Sequence, residues 1–297
     1  MAGSIAKLRS SARALLGEWA GDRAGPLPSL PEGLPPAVQP IAAGAVALLA
    51  DYQGIEHARL YLHRLRRFVG KPGFDEAKFV RIAVLLAERM SPEDPIRIAQ
   101  LVLGAPNPAA SSRGYDYKLS ELVSVLPADF GGPILDLFDW IGLSRRKLTR
   151  TFNAMTAAGR LRLRIEAGLR RWRGLSVSYA SERAWVERWL HMIDRAAAKQ
   201  PAAVEAVIET ATMVRGCGET YRQGLADWHA LIDGLVKPVF DGRLLLPDLA
   251  SAISQVRDAA MPDPRQANLK RTIAAIRTSA SADASGPDAC NRFREMP

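Results

Sequence analysis

The stretch that decides the fold runs from residue 55 to residue 69 and reads IEHARLYLHRLRRFV. Its apolar residues step by 3, 4, 3 and 4 positions, at Ile55, Ala58, Leu62, Leu65 and Val69. This spacing puts all of them on one face of an α-helix, whereas a half-buried strand would alternate. The sequence Lys71-Pro72-Gly73 follows and ends the helix, because proline and glycine interrupt the helical backbone.

The same period recurs through most of the chain. The further apolar stripes are Phe79, Ile82, Ala83, Leu86; Ile96, Ala99, Val102; Trp185, Trp189, Met192, Ile193, Ala196; Val204, Val207, Ile208, Ala211, Val214; and Tyr221, Leu225, Trp228, Ile232, Leu235. Two more helices are predicted at about 247–259 and 264–277. The pattern therefore predicts an all-α, or nearly all-α, multi-helix bundle.

One stretch is ambiguous. Residues 160–165 alternate arginine with leucine or isoleucine, as in a strand. However, Leu161, Ile165, Leu169 and Trp172 also have helical spacing, so we predict a helix over 153–173 with Trp172 packed inward. A short strand at 147–152 precedes it, which limits β structure to a minor element near 147–165.

Segment boundaries follow from composition. Residues 1–40 are predicted to be an N-terminal helix and a proline-rich linker, residues 41–277 a helical domain, and residues 278–297 a disordered tail of small and polar residues. Within the domain, Ser91 is expected to cap a helix that has Pro92 at its first position. Asp51 is expected to cap the helix that follows residues 51–53. Glu93 and Arg97 have the spacing of an i, i+4 ion pair on one face of a helix.

Composition excludes several classes of protein. No stretch approaches the roughly 20 apolar residues of a membrane-spanning helix, and the N-terminus does not have the pattern of a secretory signal. Two cysteines, Cys217 and Cys290, cannot form a disulfide framework or a cluster site unaided. A cytoplasmic location is expected.

The net charge is +9, and much of it comes from one stretch. That stretch contains Arg145, Arg146, Lys147, Arg150, Arg160, Arg162, Arg164, Arg170, Arg171 and Arg173, with Glu166 as its only acid. It predicts either a surface that attracts anionic partners or a solvated face whose arginine stems cover apolar surface.

The sequence Arg215-Gly216-Cys217-Gly218-Glu219-Thr220 lies between two predicted helices and has two interpretations. Gly216 could end one helix in the left-handed conformation before the next begins. Alternatively, the backbone amides of the helix start could bind a phosphate or carboxylate with Arg215 and Arg222. Cys217 would be a nucleophile only if a histidine approached it, because a thiolate needs a neighbouring base.

Four segments, in this order, resemble the C-terminal region of the long-form beta subunit of indolepyruvate ferredoxin oxidoreductases, of the 2-oxoacid:acceptor oxidoreductase family. They are Asp51-Tyr52-Gln53 with residues 58–62, Arg89 to Gln100, Ala167 to Arg173, and Arg215 to Thr220 with Gly224. The resemblance does not include the family's N-terminal catalytic-type domain, which we expect this chain to lack. The resemblance implies thiamine diphosphate, iron–sulfur clusters and coenzyme A in the assembled enzyme, but their ligand motifs are not visible here, so we expect no cofactor, metal site or catalytic residue in this chain.

Three functions follow as hypotheses. The resemblance implies an accessory helical region, not catalytic alone, that docks on the catalytic subunit; Arg89 and Arg97 are candidates for holding that partner. The charge pattern implies a basic protein that binds nucleic acid or another polyanion through residues 145–173, with Arg170, Arg171 and Arg173 as candidates. The third hypothesis is an independent enzyme of another type.

Overall fold

Helices make up most of the chain, as the apolar periodicity predicts. The computed structural model describes residues 26–105, 113–118, 147–152, 154–168, 177–216, 218–260 and 266–285. The chain divides into two compact units, one formed by Met1–Val186 with Gly216–Glu219 and the other by Glu187–Arg215 with Thr220–Pro297. The sequence predicts a single helical domain over 41–277, whereas this division falls inside one long helix, α6 (Val177–Lys199).

The first unit contains five further helices and a two-stranded ribbon among its described residues. Their bounds are α1 Val38–Gln53, α2 Ile55–Arg66, α3 Glu76–Met90, α4 Pro95–Gly104, β1 Arg113–Lys118, β2 Lys147–Phe152 and α5 Ala157–Gly168. The strands are antiparallel, with Arg113 opposite Phe152 and Lys118 opposite Lys147. The strand predicted at 147–152 is therefore confirmed. Its partner β1 overlaps residues 104–116, whose glycine, proline and serine content predicts a loop instead.

The core of the first unit forms where α1 packs against α2 and α3. Leu49, Leu65 and Leu86 are fully buried there, one from each helix. The phenol of Tyr61 on α2 donates a hydrogen bond to the carbonyl of Ala83 on α3 (3.1 Å), and burial raises the pKa of Tyr61 above its ordinary value. The stripe that defines α2 thus faces the core as its spacing predicts.

A smaller apolar cluster joins α4 to α5. Its members are Ile98, Ala99, Val102, Ala154 and Leu163. The prediction for residues 153–173 is wrong about which face of the helix is buried, while Leu169 and Trp172 lie outside the described residues. Leu161 and Ile165 are 60% and 61% exposed, so they do not face the core. The buried residue is Leu163, which shows that α5 uses another face than the one we inferred.

Among its described residues, the second unit contains the remainder of α6 and five further helices, some of them joined by 3₁₀ or π-helical turns. They are α7 Val204–Glu209 between the 3₁₀ turns Pro201–Ala203 and Thr210–Met213, α8 Gly218–Leu231, the π-helical turn Ile232–Val236, α9 Lys237–Phe240, α10 Leu249–Ala259 and α11 Ala267–Ser285. The predicted stripe from Val204 to Val214 is buried throughout. It is not one α-helix, however, because its last turn tightens to 3₁₀ geometry.

Several segment ends differ from the sequence prediction. Helix α1 begins at Val38, inside the predicted linker, where the amide of Ala37 donates to Glu76 Oε1 (2.9 Å). That carboxylate satisfies an amide at the positive end of α1. Helix α11 continues to Ser285, beyond the predicted start of the disordered tail. Residues 1–25 and 286–297 lie outside the described residues, as does the predicted N-terminal helix.

Ser91 does not cap a helix start, contrary to our prediction. It follows the end of α3, and its hydroxyl donates to the carbonyl of Ala87 (2.8 Å). The cap of α4 is Asp94, which accepts the amide of Arg97 (2.6 Å), with Pro95 at the first helical position. A helix does start in this segment, but the capping pair is Asp94-Pro95 and not Ser91-Pro92.

No helix in the described part of the chain is long and apolar enough to cross a membrane.

Candidate functional site

Two of the sequence segments singled out above meet in the first unit. The phenol of Tyr52, at the end of α1, lies 3.3 Å from the carbonyl oxygen of Pro92 and 3.4 Å from Oδ2 of Asp94, at the start of α4. The phenol has one proton to donate, so the two oxygens either share it or accept it alternately. We name the group formed by Asp51, Tyr52, His57, Asp94, Arg97 and Tyr179 the polar junction.

His57 holds the centre of the polar junction. It is 6% exposed, and its Nε2 lies 2.7 Å from the carbonyl oxygen of Met90, the last residue of α3. That carbonyl can only accept, so Nε2 carries a proton. Nδ1 of His57 lies 3.3 Å from the phenol oxygen of Tyr179 on α6. With Nε2 protonated in the neutral ring, Nδ1 accepts the phenol proton, and both nitrogens are engaged.

Arg97 joins the polar junction to the end of α1 through a salt bridge. Its Nη1 lies 2.8 Å from Oδ2 of Asp51, with the Arg97 side chain 13% exposed and the Asp51 side chain 64% exposed. Two predictions are therefore wrong in their partners. Asp51 does not cap α2, whose N-cap is Gly54 with φ of 111°, a backbone region that favours glycine. Arg97 pairs with Asp51, and not with Glu93 as an i, i+4 pair.

Arg89 lies at the end of α3 and pairs with the neighbouring Glu88 (3.1 Å). Its side chain is 13% exposed, so little of it is offered to another molecule. The role of Arg89 and Arg97 in holding a partner stays a prediction. In the structure, both arginines form salt bridges with residues of the same unit.

The chemistry of the polar junction is that of a structural connection. His57 bonds a helix-end carbonyl, Asp94 caps α4, and Tyr52 ties α1 to the turn between α3 and α4. Such groups satisfy backbone atoms that helix ends leave without partners.

Replacing Asp94 tests the polar junction. Asp94→Ala removes the cap of α4 and one partner of Tyr52, so we expect a loss of about 1–2 kcal/mol in the free energy of unfolding. Glu93→Ala is the matched control, because Glu93 is exposed, lies outside the helix and should change stability by less than about 0.5 kcal/mol. Urea unfolding followed by circular dichroism measures both. Equal stability of the two variants would contradict the assigned cap.

The Arg215–Arg222 segment follows the first interpretation given above. Gly216 has a φ of 79°, in the left-handed region, just after the 3₁₀ turn Thr210–Met213, and α8 begins at Gly218. Arg215, Glu219 and Thr220 are exposed, and Arg222 is partly buried. The helix-end geometry is confirmed, and the anion site stays a prediction. Cys217, Arg170, Arg171 and Arg173 lie outside the described residues.

A second polar group lies in the second unit and was not predicted from the sequence. Nη1 of Arg188 on α6 lies 3.0 Å from Nδ1 of His229 on α8, and its Nη2 bonds Asp233. Its guanidinium carbon also lies 5.7 Å from the centre of the Trp228 ring. Burial, and then the charge of Arg188, lower the pKa of His229 while Asp233 opposes them. The i, i+4 spacing of His229 and Asp233 could have been noticed, but nothing in the sequence pairs them with Arg188.

Among the groups that the resemblance implies, an iron–sulfur cluster does not fit the residues of this chain. Within the described ranges, no group of three or more histidine, cysteine, aspartate or glutamate side chains could hold a metal ion. The whole chain has two cysteines, whereas the usual iron–sulfur cluster needs four thiolates. We therefore derive no step through a metal or a cluster.

Comparison with known proteins gives one match. No curated protein matches the chain, and no solved structure does. A family model described as a family of unknown function, DUF6537, matches residues 38–234. The match begins at the first residue of α1. It covers the polar junction, the contacts of Arg188 with His229 and Asp233, and the segment from Arg215 to Gly224. Because it spans more than half of the chain, this protein belongs to the DUF6537 family.

Proposed function

We propose that this chain is an accessory helical module of an indolepyruvate-type 2-oxoacid ferredoxin oxidoreductase. It is not catalytic alone, acts in the cytoplasm and docks on the thiamine-binding catalytic subunit. The observation that carries the proposal is the polar junction. Two of the four segments that resemble the oxidoreductase beta subunit, residues 51–53 and 89–100, contact each other through Tyr52, Asp94 and Arg97.

This contact supports a shared fold, since segments about 40 residues apart interlock through the residues on which the resemblance rests. Gly224, from the fourth segment, has a comparable structural role. A Cβ added there would lie 2.1 Å from the carbonyl oxygen of Met213, so the glycine permits a close backbone approach.

Co-purification tests the proposal. We expect the tagged full-length chain, expressed in its native cells, to retain the thiamine-binding subunit of a 2-oxoacid oxidoreductase and to retain it in about 0.5 M salt. Contacts dominated by apolar side chains are weakly screened by salt, unlike contacts between surface charges. Mass spectrometry identifies the retained chain, and the tag alone is the control. Absence of that subunit, or 2-oxoacid oxidation by this chain alone, would contradict the proposal.

A second candidate function is binding of nucleic acid or another polyanion through residues 145–173. The observation in its favour is that Arg162 and Arg164 are exposed on α5. Binding of this kind weakens steeply as salt rises, because neutralised phosphates release counterions. A fluorescent RNA oligonucleotide titrated at two salt concentrations therefore separates this function from the docking proposed above.

A further inference from the structure

Helix α5 presents two large aliphatic side chains to solvent. Leu161 and Ile165 are 60% and 61% exposed and lie four residues apart, on one side of the helix. Leu163 and Ala167 pack into the cluster with α4. Two positions along a helix turn a side chain by about 200°. The Leu161–Ile165 stripe therefore lies opposite the side that α5 uses for its own unit.

The stripe is extended by small residues and bordered by positive charge. Ala158, one turn before it, and Gly168, at its end, are both exposed, and a Cβ added at Gly168 would meet no atom within 4 Å. Arg162 and Arg164 are exposed and leave the helix on either side of the stripe. An apolar centre with a charged border is the usual composition of a protein–protein interface.

We propose that the outer face of α5, defined by Ala158, Leu161, Arg162, Arg164, Ile165 and Gly168, docks an acidic amphipathic helix of a partner protein. This inference rests on the proposed function, for which it supplies the docking surface. The occupant presents apolar side chains to Leu161 and Ile165 and carboxylates to the two arginines. The small residues at both ends of the stripe let the backbone of a second helix approach closely.

Charge complementarity selects this occupant. A second copy of the same face would bring arginines against arginines, and like charges facing each other oppose association. Nucleic acid would satisfy the arginines through its phosphates, but its backbone offers no apolar surface for Leu161 and Ile165. An anionic lipid surface would attract the arginines, but two large aliphatic side chains on a 12-residue helix bury little area in a bilayer.

Peptide binding to the full chain tests the surface. The probes are two fluorescein-labelled amphipathic helical peptides that share a leucine stripe, bordered by glutamate in one and by lysine in the other. We expect anisotropy titrations to show tighter binding of the glutamate peptide. We expect Leu161→Ser and Ile165→Ser each to weaken it about tenfold, because central apolar residues carry most of the affinity of such interfaces.

The controls separate docking from folding. Leu245→Ser removes a leucine that is 71% exposed in the second unit and should leave the affinity unchanged. Circular dichroism should show the same helix content for all variants. Arg164→Gln should reduce the preference for the glutamate peptide, because it removes one of the two bordering charges. Equal affinity for both peptides, or binding of the glutamate peptide that Leu161→Ser leaves unchanged, overturns the inference. Binding of RNA or phosphatidylglycerol vesicles in place of that peptide overturns it as well.

Failure of this inference and failure of the proposed function can be told apart. If the catalytic subunit co-purifies with wild type and equally with Leu161→Ser, the docking surface is wrong and the accessory function stands. If the glutamate peptide binds as described and the catalytic subunit does not co-purify, the surface stands and the accessory function is wrong.

Discussion

Trp228→Ala should lower the free energy of unfolding of the second unit by about 3–5 kcal/mol, the usual range for removing a buried large aromatic side chain. Trp228 is fully buried. Its indole nitrogen donates to the hydroxyl of Thr210 (3.1 Å), which donates in turn to the carbonyl of Val207 (2.7 Å). The same carbonyl accepts the indole of Trp189 (3.3 Å). The substitution therefore leaves a cavity and removes one donor from this network.

More conservative variants separate the two effects. Trp228→Phe keeps much of the ring but loses the donor, so we expect a cost of about 1–3 kcal/mol. Thr210→Val removes the acceptor of the buried Trp228 indole and one of the two donors to the Val207 carbonyl, with a cost in the same range. Guanidinium unfolding monitored by circular dichroism measures all three variants, with Leu245→Ala as an exposed control expected to change by less than about 0.5 kcal/mol. A Trp228→Ala variant as stable as the control would contradict the burial and hydrogen bonding assigned to Trp228.

The helical fold and its core could be predicted because periodicity is a local property. The stripes through Leu62, Ile82 and Trp189 are buried as their spacing requires. The prediction failed on α5, where two apolar stripes lie on opposite sides of one helix. Leu161 and Ile165 form as regular a pattern as Leu163 and Ala167, and sequence alone does not say which pair the neighbouring helix covers. Packing against α4 decides it.

The contacts of the polar junction could not be predicted, because they join residues distant in the chain. Spacing predicts only local partners, such as Glu93 for Arg97, because only i, i+3 and i, i+4 neighbours can be inferred from it. In the structure Arg97 bonds Asp51, and His57 bonds Met90 and lies beside Tyr179, 122 positions later. A helix-end glycine such as Gly216 can be anticipated from sequence, whereas a tertiary hydrogen bond depends on how helices pack.

The same limit applies to Gly44 and Gly224, whose helical positions look alike in sequence. Gly44 in α1 and Gly224 in α8 both lie inside helices, where glycine usually costs about 0.5–1 kcal/mol relative to alanine. A Cβ at Gly44 would meet nothing within 4 Å. A Cβ at Gly224 would lie 2.1 Å from the carbonyl oxygen of Met213 and 3.3 Å from Cα of Val214. Both obstacles are backbone atoms, which cannot rotate away as a side chain can.

Gly224→Ala should therefore destabilise the second unit by about 3 kcal/mol or more, because α8 must move away from the turn after Thr210–Met213 and the overpacking exceeds the gain in helix propensity. Gly44→Ala is the matched control, with an expected gain of up to about 1 kcal/mol from propensity alone. Thermal and urea unfolding of the two variants measure the contrast. If both substitutions shifted stability in the same direction by similar amounts, the close approach of α8 to Met213 would be wrong. The packing of α8 would then have to be explained without a glycine-dependent contact, and the fourth segment of the resemblance would lose its structural reason.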